Sequence, residues 1–382
     1  MHRPTQLSSF FLGGFECSSH RREDGRRLDL LASTAHDRNA AADYKRMREH
    51  GLLTVRDGLR WHLIEKSPWQ YDWSSFLPML RAARENRIQV IWDLCHYGWP
   101  DDLDIWSPAF VDRFAAFAKA AAAVMRDEGI TAPLVCPVNE ISYWSWAGGE
   151  TSKFWPLGKR RGDELKRQLA RAAIASVDAL RGVVPQVRTV FADPAINVVA
   201  ASAERRNDAE RARLAQYAAW DLLTGREQPE LGGRDDIIDI IGVNYYSDNQ
   251  WVLGGKTIEP GDKRYRPFSD MLGEIHSRYA KPILIAETGA EGEARAKWLR
   301  YVCDEVLQAL VRDVPVEGVC LYPVLDYPGW INDRHCETGL FGFADAEGQR
   351  SVHAGLAQQL AFEQARVASM AASASSLATE PA

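Results

Sequence analysis

Residues 237–246 read Ile237-Ile238-Asp239-Ile240-Ile241-Gly242-Val243-Asn244-Tyr245-Tyr246. A run this apolar, with little in–out alternation, fits a parallel strand covered on both faces. It ends in three polar or aromatic residues, Asn244, Tyr245 and Tyr246. Seven other segments have the same apolar character: 10–15, 52–56, 88–92, 134–138, 187–191, 282–285 and 318–321. Helical patterns follow them at 39–50, 74–86, 108–128, 163–181, 203–223, 266–279, 293–311 and 352–367, several closed by a glycine such as Gly51, Gly129 or Gly182. Eight strands that each lead into a helix are the pattern of an α/β chain folded as a single (β/α)8 TIM barrel. The competing open doubly wound sheet would call for a G-x-G-x-x-G turn after the first strand, and none occurs there. One domain is expected over residues 1–367. The Ala- and Ser-rich stretch 368–382 is expected to be a disordered tail.

Composition narrows the function classes. With 46 Lys+Arg against 52 Asp+Glu the formal net charge is −6, which argues against general nucleic-acid binding. No apolar run approaches the roughly 20 residues of a membrane span, so no membrane partner is expected. Met1 to Phe10 lacks the charged start, apolar stretch and cleavage site of a secretion signal. The cysteines at 17, 95, 136, 303, 320 and 336 form no C-x-x-C pair and read as reduced thiols, so a cytoplasmic location is expected. The histidines show no metal-ligand spacing, and neither a metal nor another cofactor is expected. The oligomeric state is open. The 13 Trp, 12 Tyr and 13 Phe must mostly fill the core, but some could line a sugar site, because sugar faces present C–H groups to aromatic rings.

In a barrel of this kind the site forms at the C-terminal ends of the strands. There the sequence places Arg56, then Asp93 with His96, Asn139-Glu140, Asn244-Tyr245-Tyr246, Glu287, and Tyr322 with Asp326 and Trp330 beyond it. Cleaving a glycosidic bond needs two carboxyl groups across it, one protonated and one ionised. A neighbouring Arg would favour the ionised one. Arg56 and Tyr245 are the candidates to stand beside it.

These residues carry a family resemblance over almost the whole chain. Phe11-Leu12-Gly13-Gly14 is similar to F-L-W-G. Arg56-Asp57-Gly58-Leu59-Arg60-Trp61 fits R-F-S-x-x-W, and His96-Tyr97-Gly98-Trp99-Pro100 fits H-W-D-L-P. Val138-Asn139-Glu140 fits x-N-E-P. The segment from Asp239 to Tyr246 fits D-x-x-G-x-N-Y-Y, and Ile285-Ala286-Glu287-Thr288-Gly289 fits x-x-E-N-G. Asp326 and Trp330 fit D-N-F-E-W. The chain therefore resembles the clan A retaining β-glycosidases, most closely glycoside hydrolase family 1. The resemblance implies a small-molecule glycoside as substrate, Glu140 as general acid/base and Glu287 as nucleophile. It also implies that Arg56 and Tyr245 touch Glu287, that Asn139 bonds the sugar 2-hydroxyl, and that His96 bonds another glycone hydroxyl. Tyr322 falls where the family has a Trp platform, and Trp330 sits at the rim.

Departures cluster at the glycone. Arg21 stands where the family has a sugar-binding Gln, with His20 adjacent. Gly329 replaces a Glu that grips outer hydroxyls, Thr288 an Asn, and Ile141 a Pro. Two basic clusters, Arg21-Arg22 with Arg26-Arg27 and Lys159-Arg160-Arg161, lie in loops on the site face. They could receive an anionic sugar. The plainer reading pairs them in solvent with Glu23, Asp24, Asp163 and Glu164. Trp144 and Trp146 follow the acid and could line the aglycone side. Three other functions compete: a transglycosylase on the same residues, a non-catalytic sugar-binding barrel, and a metal-dependent barrel hydrolase. The last lacks the His and Asp cluster that two-metal hydrolysis needs.

Overall fold

The apolar runs do become strands. In the computed structural model, which describes residues 6–377, they are β1 Phe11–Gly14, β2 Thr54–Gly58, β3 Gln89–Cys95, β4 Leu134–Val138, β5 Arg188–Pro194, β6 Ile240–Asn244, β7 Ile283–Thr288 and β8 Val316–Leu321. All pair in parallel, and β1 closes the ring against both β2 and β8, with Leu12 opposite Thr54 and Phe11 opposite Val319. The chain is a closed (β/α)8 barrel.

Side-chain alternation sorts the barrel into two cores. Leu12, Ile91, Cys136, Ala192, Ile240, Leu284 and Cys320 form a separate inner cluster, while Ile241, Val243, Ile283 and Ile285 join the larger cluster under the helices. The helices are α1 His36–Glu49, α2 Leu77–Glu85, α3 Pro108–Asp127, α4 Gly162–Arg181, α5 Arg206–Leu214, α6 Ala218–Leu223, α7 Phe268–Tyr279, α8 Ala294–Val311 and α9 Ala354–Leu377. Helix α3 shows why the apolar spacing works. Pro108 opens it, where the missing N–H has no intrahelical partner to lose. Phe110, Phe114 and Phe117 then share one face and meet the Trp61 ring at centroid distances of 5.7, 5.1 and 5.4 Å. Burying one such Phe stabilises the fold by about 1.5–3 kcal/mol.

Two expectations change. The helix expected over 203–223 is broken, with α5 and α6 separated by a 3-10 turn at Ala215–Tyr217. Of the tail expected to be disordered, residues 368–377 continue α9, in keeping with the helix propensity of Ala, and 378–382 lie outside the described residues. Among the described residues no helix is long and apolar enough to cross a membrane.

Behind β2 lies a buried charge network. Arg56 points into the barrel, so its neighbour Asp57 points out toward α1. There His36 bridges two carboxylates, with Nδ1 2.9 Å from Asp43 Oδ2 and Nε2 2.8 Å from Asp57 Oδ2. Tyr44 donates to Asp57 at 2.6 Å, and Phe15 stacks on the imidazole at 3.6 Å. Arg350, from the C-terminal hairpin, closes the network with bonds of 2.7 and 2.9 Å to Asp43. Burial works against the imidazolium, but Asp57 and Asp43 outweigh it and raise the His36 pKa to about 9.

Candidate active site

Glu287 faces the pocket because of a defect in the ladder. Leu284 and Ala286 point inward, so strict alternation would turn Glu287 outward. The register of β7 slips against both neighbours. Val243 opposite Ile285 is followed by Asn244 opposite Glu287, and Val319 opposite Ile285 is followed by Leu321 opposite Thr288. The extra residue is a bulge, and bulges re-aim side chains beside functional sites. Arg56 Nη1 then donates to Glu287 Oε1 at 3.1 Å, and the Tyr246 hydroxyl donates to Oε2 at 3.0 Å.

Glu140 reaches the same pocket by another route. It follows β4 with φ of 47°, a left-handed conformation rare for a residue with a side chain, while its N–H bonds Ala192 O at 2.9 Å. Tyr97, after β3, has φ of 66°. It donates its hydroxyl to Glu140 Oε2, and Asn244 donates to Oε1 at 2.8 Å. Glu140 and Glu287 are only 9% and 5% exposed. Burial raises both pKa values, and the Glu140 charge raises Glu287 further. Each carboxyl group therefore holds its proton more readily than a free one, and the two charges oppose each other. Among the described residues Arg56 is the only full positive charge bonded to either carboxylate, and it favours ionised Glu287 with the proton on Glu140.

One hydrogen-bond chain fixes the rest. Arg56 Nη2 bonds Asp93 at 2.6 Å and Asn139 Oδ1 at 3.1 Å. That orients the Asn139 amide, which donates to Tyr97 at 3.1 Å and faces His96 Nε2 at 3.0 Å. His96 Nδ1 meets Asp93 at 3.0 Å. The Asn139 amide facing Nε2 fits a proton on Nδ1, toward Asp93. Burial disfavours its charged form, but Asp93 and Glu16 outweigh that and lift its pKa above the ordinary value. Cys17, Asp93 and His96 bring three ligand-type atoms within 4.8 Å of one another. Asp93 Oδ2 is already committed to Arg56 and His96, so this cluster braces the imidazole.

Several expected residues sit elsewhere. Tyr245 does not touch Glu287. As the next residue after inward Asn244 it turns outward, stacks on Phe268 at 3.9 Å and bonds Tyr265 at 2.8 Å. Tyr246, two residues beyond Asn244, takes the expected contact. Arg21 does not face the pocket either. Its Nε bonds Asp101 at 2.8 Å, and its neighbour His20 points inward instead, 4.8 Å from the Trp330 ring and 5.9 Å from Tyr97. Burial, with His96 and Arg27 nearby, lowers the His20 pKa to about 3. Four other basic residues are paired: Arg27 with Asp101, Arg22 with Asp24 and Asp333, Arg26 with Asp333, and Arg161 with Glu164. Asp101 and Asp333 had not been expected as partners.

Tyr322 is buried on the pocket floor, parallel to His96 at 6.2 Å and 5.3 Å below the Arg56 guanidinium. Gly14 makes room for it, because a Cβ there would lie 2.1 Å from the Tyr322 ring. Trp330 joins His20, Tyr97, Tyr143 and Phe154 in an aromatic wall. Trp144 is core, whereas Trp146 is 46% exposed beside Tyr143, on the side of the acid. Asp326 bonds the Gly339 N–H at 2.8 Å and braces a loop. Sequence reasoning missed Tyr97 and Glu16 as pocket residues, and it placed Asn244 and Tyr246 at the strand end without giving either a role. Alternation along the end of β6 was the available signal for Asn244 and Tyr246.

Compared by sequence, the chain matches no family model and no curated protein. Compared by structure, it is similar to the family 1 β-glucosidase from Thermotoga maritima, with 14% identity, TM-score 0.73, and coverage of 95% of this chain and 99% of that one. It is also similar to the AHE enzyme from Alicyclobacillus herbarius, with 17% identity, TM-score 0.76, and coverage of 95% and 100%. A hyperthermophilic β-glucosidase mutant aligns at 16% identity and TM-score 0.73, over 93% of this chain and 99% of that one. At these identities the likeness establishes a shared barrel fold.

Proposed function

We propose that the protein is a retaining β-glycosidase that hydrolyses a small soluble β-glycoside by double displacement. One observation carries this reading. Two buried carboxyl groups share a pocket with unequal partners, Glu287 on a guanidinium and Glu140 on neutral donors only. That inequality separates a nucleophile from an acid. The fold shared with enzymes described as β-glucosidases supports the same reading and makes β-glucosides the first substrates to try.

In the first step ionised Glu287 attacks the anomeric carbon while the bond to the leaving oxygen breaks. Glu140 gives that oxygen its proton, and the aglycone departs as an alcohol. In the second step Glu140, now a carboxylate, takes a proton from water. The water oxygen attacks the anomeric carbon, the glycosyl ester to Glu287 breaks, and both carboxyl groups return to their starting states. Two inversions give net retention, which needs the carboxyl groups roughly 5–5.5 Å apart. Arg56 and Tyr246 hold Glu287, Asn139 and His96 offer bonds to glycone hydroxyls, and Tyr322 and Trp330 supply aromatic surface. Six buried unpaired thiols suit a reducing compartment, so the proposed setting is cytoplasmic.

The test is a panel of nitrophenyl β-glycosides with wild type and Glu287→Gln, the product anomer being read by NMR. Release of the β-anomer by wild type alone supports the reading. Activity that survives Glu287→Gln, or an α-anomer as first product, overturns it. Added acceptor sugars separate hydrolysis from transfer.

A further inference from the structure

A third carboxylate, Glu16, stands in the pocket and has no part in the two steps above. It follows β1, is 6% exposed, and lies with Oε1 3.8 Å from His96 Nε2. Both of its hydrogen bonds, from the Ser18 N–H and hydroxyl, fall on Oε1. Oε2 has no partner among the described residues. The Glu16 charge is felt by His96, Glu287, Tyr143, Tyr246 and Tyr322, so it acts across the pocket. No Lys or Arg lies within ion-pair distance of it among the described residues, whereas Arg21, Arg22, Arg26 and Arg27 each pair with a carboxylate at the rim.

Six buried polar atoms around this pocket lack partners among the described residues: His20 Nδ1, Arg56 Nε, Asp93 Oδ1, Asn244 Oδ1, Tyr322 Oη and Trp330 Nε1. Native proteins rarely leave such groups unpaired, and a bound ligand is one way they are met. Trp330 can only donate, a carboxylate can only accept, and the tyrosine hydroxyl does both. A ring bearing several hydroxyls matches that set, since each hydroxyl donates once and accepts as well. An anionic substituent does not match, because it would meet Glu16 and Glu287, while the nearby His96 is already bonded to Asp93.

We propose that Glu16 is the specificity-determining residue of this pocket: its carboxylate accepts hydrogen bonds from hydroxyls of a neutral glycone and excludes uronates and phosphosugars. The inference rests on the glycosidase reading for its substrate, and it assigns a role outside the two bond-changing steps.

The test compares wild type, Glu16→Gln and Glu16→Ala on nitrophenyl β-glucoside, β-glucuronide and 6-phospho-β-glucoside. Wild type is expected to favour the neutral substrate. In Glu16→Gln the loss should fall on KM, about tenfold, more than on kcat, with the shape of the pH profile kept. The margin against the glucuronide should narrow by about tenfold as well. Recognition is read without turnover in the Glu287→Gln background, by thermal shift with gluconolactone and with the monolactone of glucaric acid, which keeps a free carboxylate. Lactone binding that depends on Glu16, together with no cleavage of any glycoside, would defeat the glycosidase reading and leave the Glu16 assignment standing. Unchanged KM and unchanged selectivity in a folded Glu16→Gln protein would overturn the assignment. So would a wild-type preference for either anionic substrate, or no lactone binding at all.

Discussion

Arg56 Nη1 lies 3.1 Å from Glu287 Oε1 while Nη2 of the same guanidinium lies 2.6 Å from Asp93 Oδ2. The two residues come from β2 and β7, across the barrel from each other, and the guanidinium is fully buried. A single cation thus serves the proposed nucleophile and the group that orients His96. Arg56→Met should lower kcat/KM by at least about 10³-fold, in line with losing a preorganised charge. It should also destabilise the fold by roughly 3–5 kcal/mol, because two buried carboxylates lose their partner. Without Arg56 the Glu287 pKa rises, so the acidic limb of the pH–rate profile should move to higher pH. Residual activity measured across pH, beside thermal melts, checks all three.

Glu140→Gln should separate the two chemical steps. Loss of the acid/base lowers the rate by about 10²–10⁴-fold on substrates whose leaving group needs a proton. Dinitrophenyl glycosides, which leave without one, should lose far less in the first step and show a burst as the glycosyl ester accumulates. Added azide should restore turnover, since it attacks the ester without general-base help. A Glu140→Gln protein equally slow on both leaving groups, with no burst, would remove Glu140 from the acid role.

The tyrosine pair at the end of β6 gives a control within one dipeptide. Tyr246→Phe removes the hydroxyl that reaches Glu287 at 3.0 Å, and kcat should fall about 10- to 100-fold for the loss of one bond to a charged group. Tyr245→Phe removes bonds to Tyr265 and Gln250 in the outer layer. It should cost about 1 kcal/mol of stability and leave kcat near wild type. Steady-state kinetics and urea melts on the two variants tell these outcomes apart.

The buried imidazole behind β2 makes stability depend on pH. His36 titrates near 6.5 when unfolded and at about 9 in the folded chain. The folded state therefore holds more protons than the unfolded one between these values, and stability falls as pH rises through them. The stabilisation is fully present below pH 6.5 and lost above about 9, on the order of 3 kcal/mol in all. His36→Gln should flatten this part of the curve. Denaturation midpoints from pH 6 to 9.5 in both proteins give the comparison, and parallel curves would refute the assignment.

Much of the architecture was legible because apolar runs, glycine stops and polar strand ends are local signals. The position of Glu140 after β4 and of Arg56 on β2 followed from them. Details that depend on geometry across strands did not. The β7 bulge that aims Glu287 inward leaves no mark in its own residues, because it is a register slip against β6 and β8. Tyr245 was chosen over Tyr246 by motif alignment, although a period of two counted from Asn244 selects Tyr246. Arg21 was chosen over His20 by an ungapped count, and one residue of offset exchanges a rim ion pair for a pocket wall. The partners Asp101 and Asp333 lie in loops distant in sequence from the arginines they neutralise, beyond the reach of local patterns.

The tie between Asp43 and Arg350 spans 307 positions, and that between Arg56 and Glu287 spans 231. During synthesis the first half of the barrel therefore emerges with its interior charge networks incomplete, and the groups that complete them, Glu287 and Arg350, are made last. An amino-terminal fragment would keep the bonds of His36 to Asp43 and Asp57 and of Arg56 to Asp93, but Asp43 would lack Arg350 and Arg56 would lack Glu287. Such a half-barrel holds two buried charge networks that are each one partner short. The order in which the ribosome delivers the chain thus works against premature closure, and the pocket is completed only when both ends of the polypeptide meet.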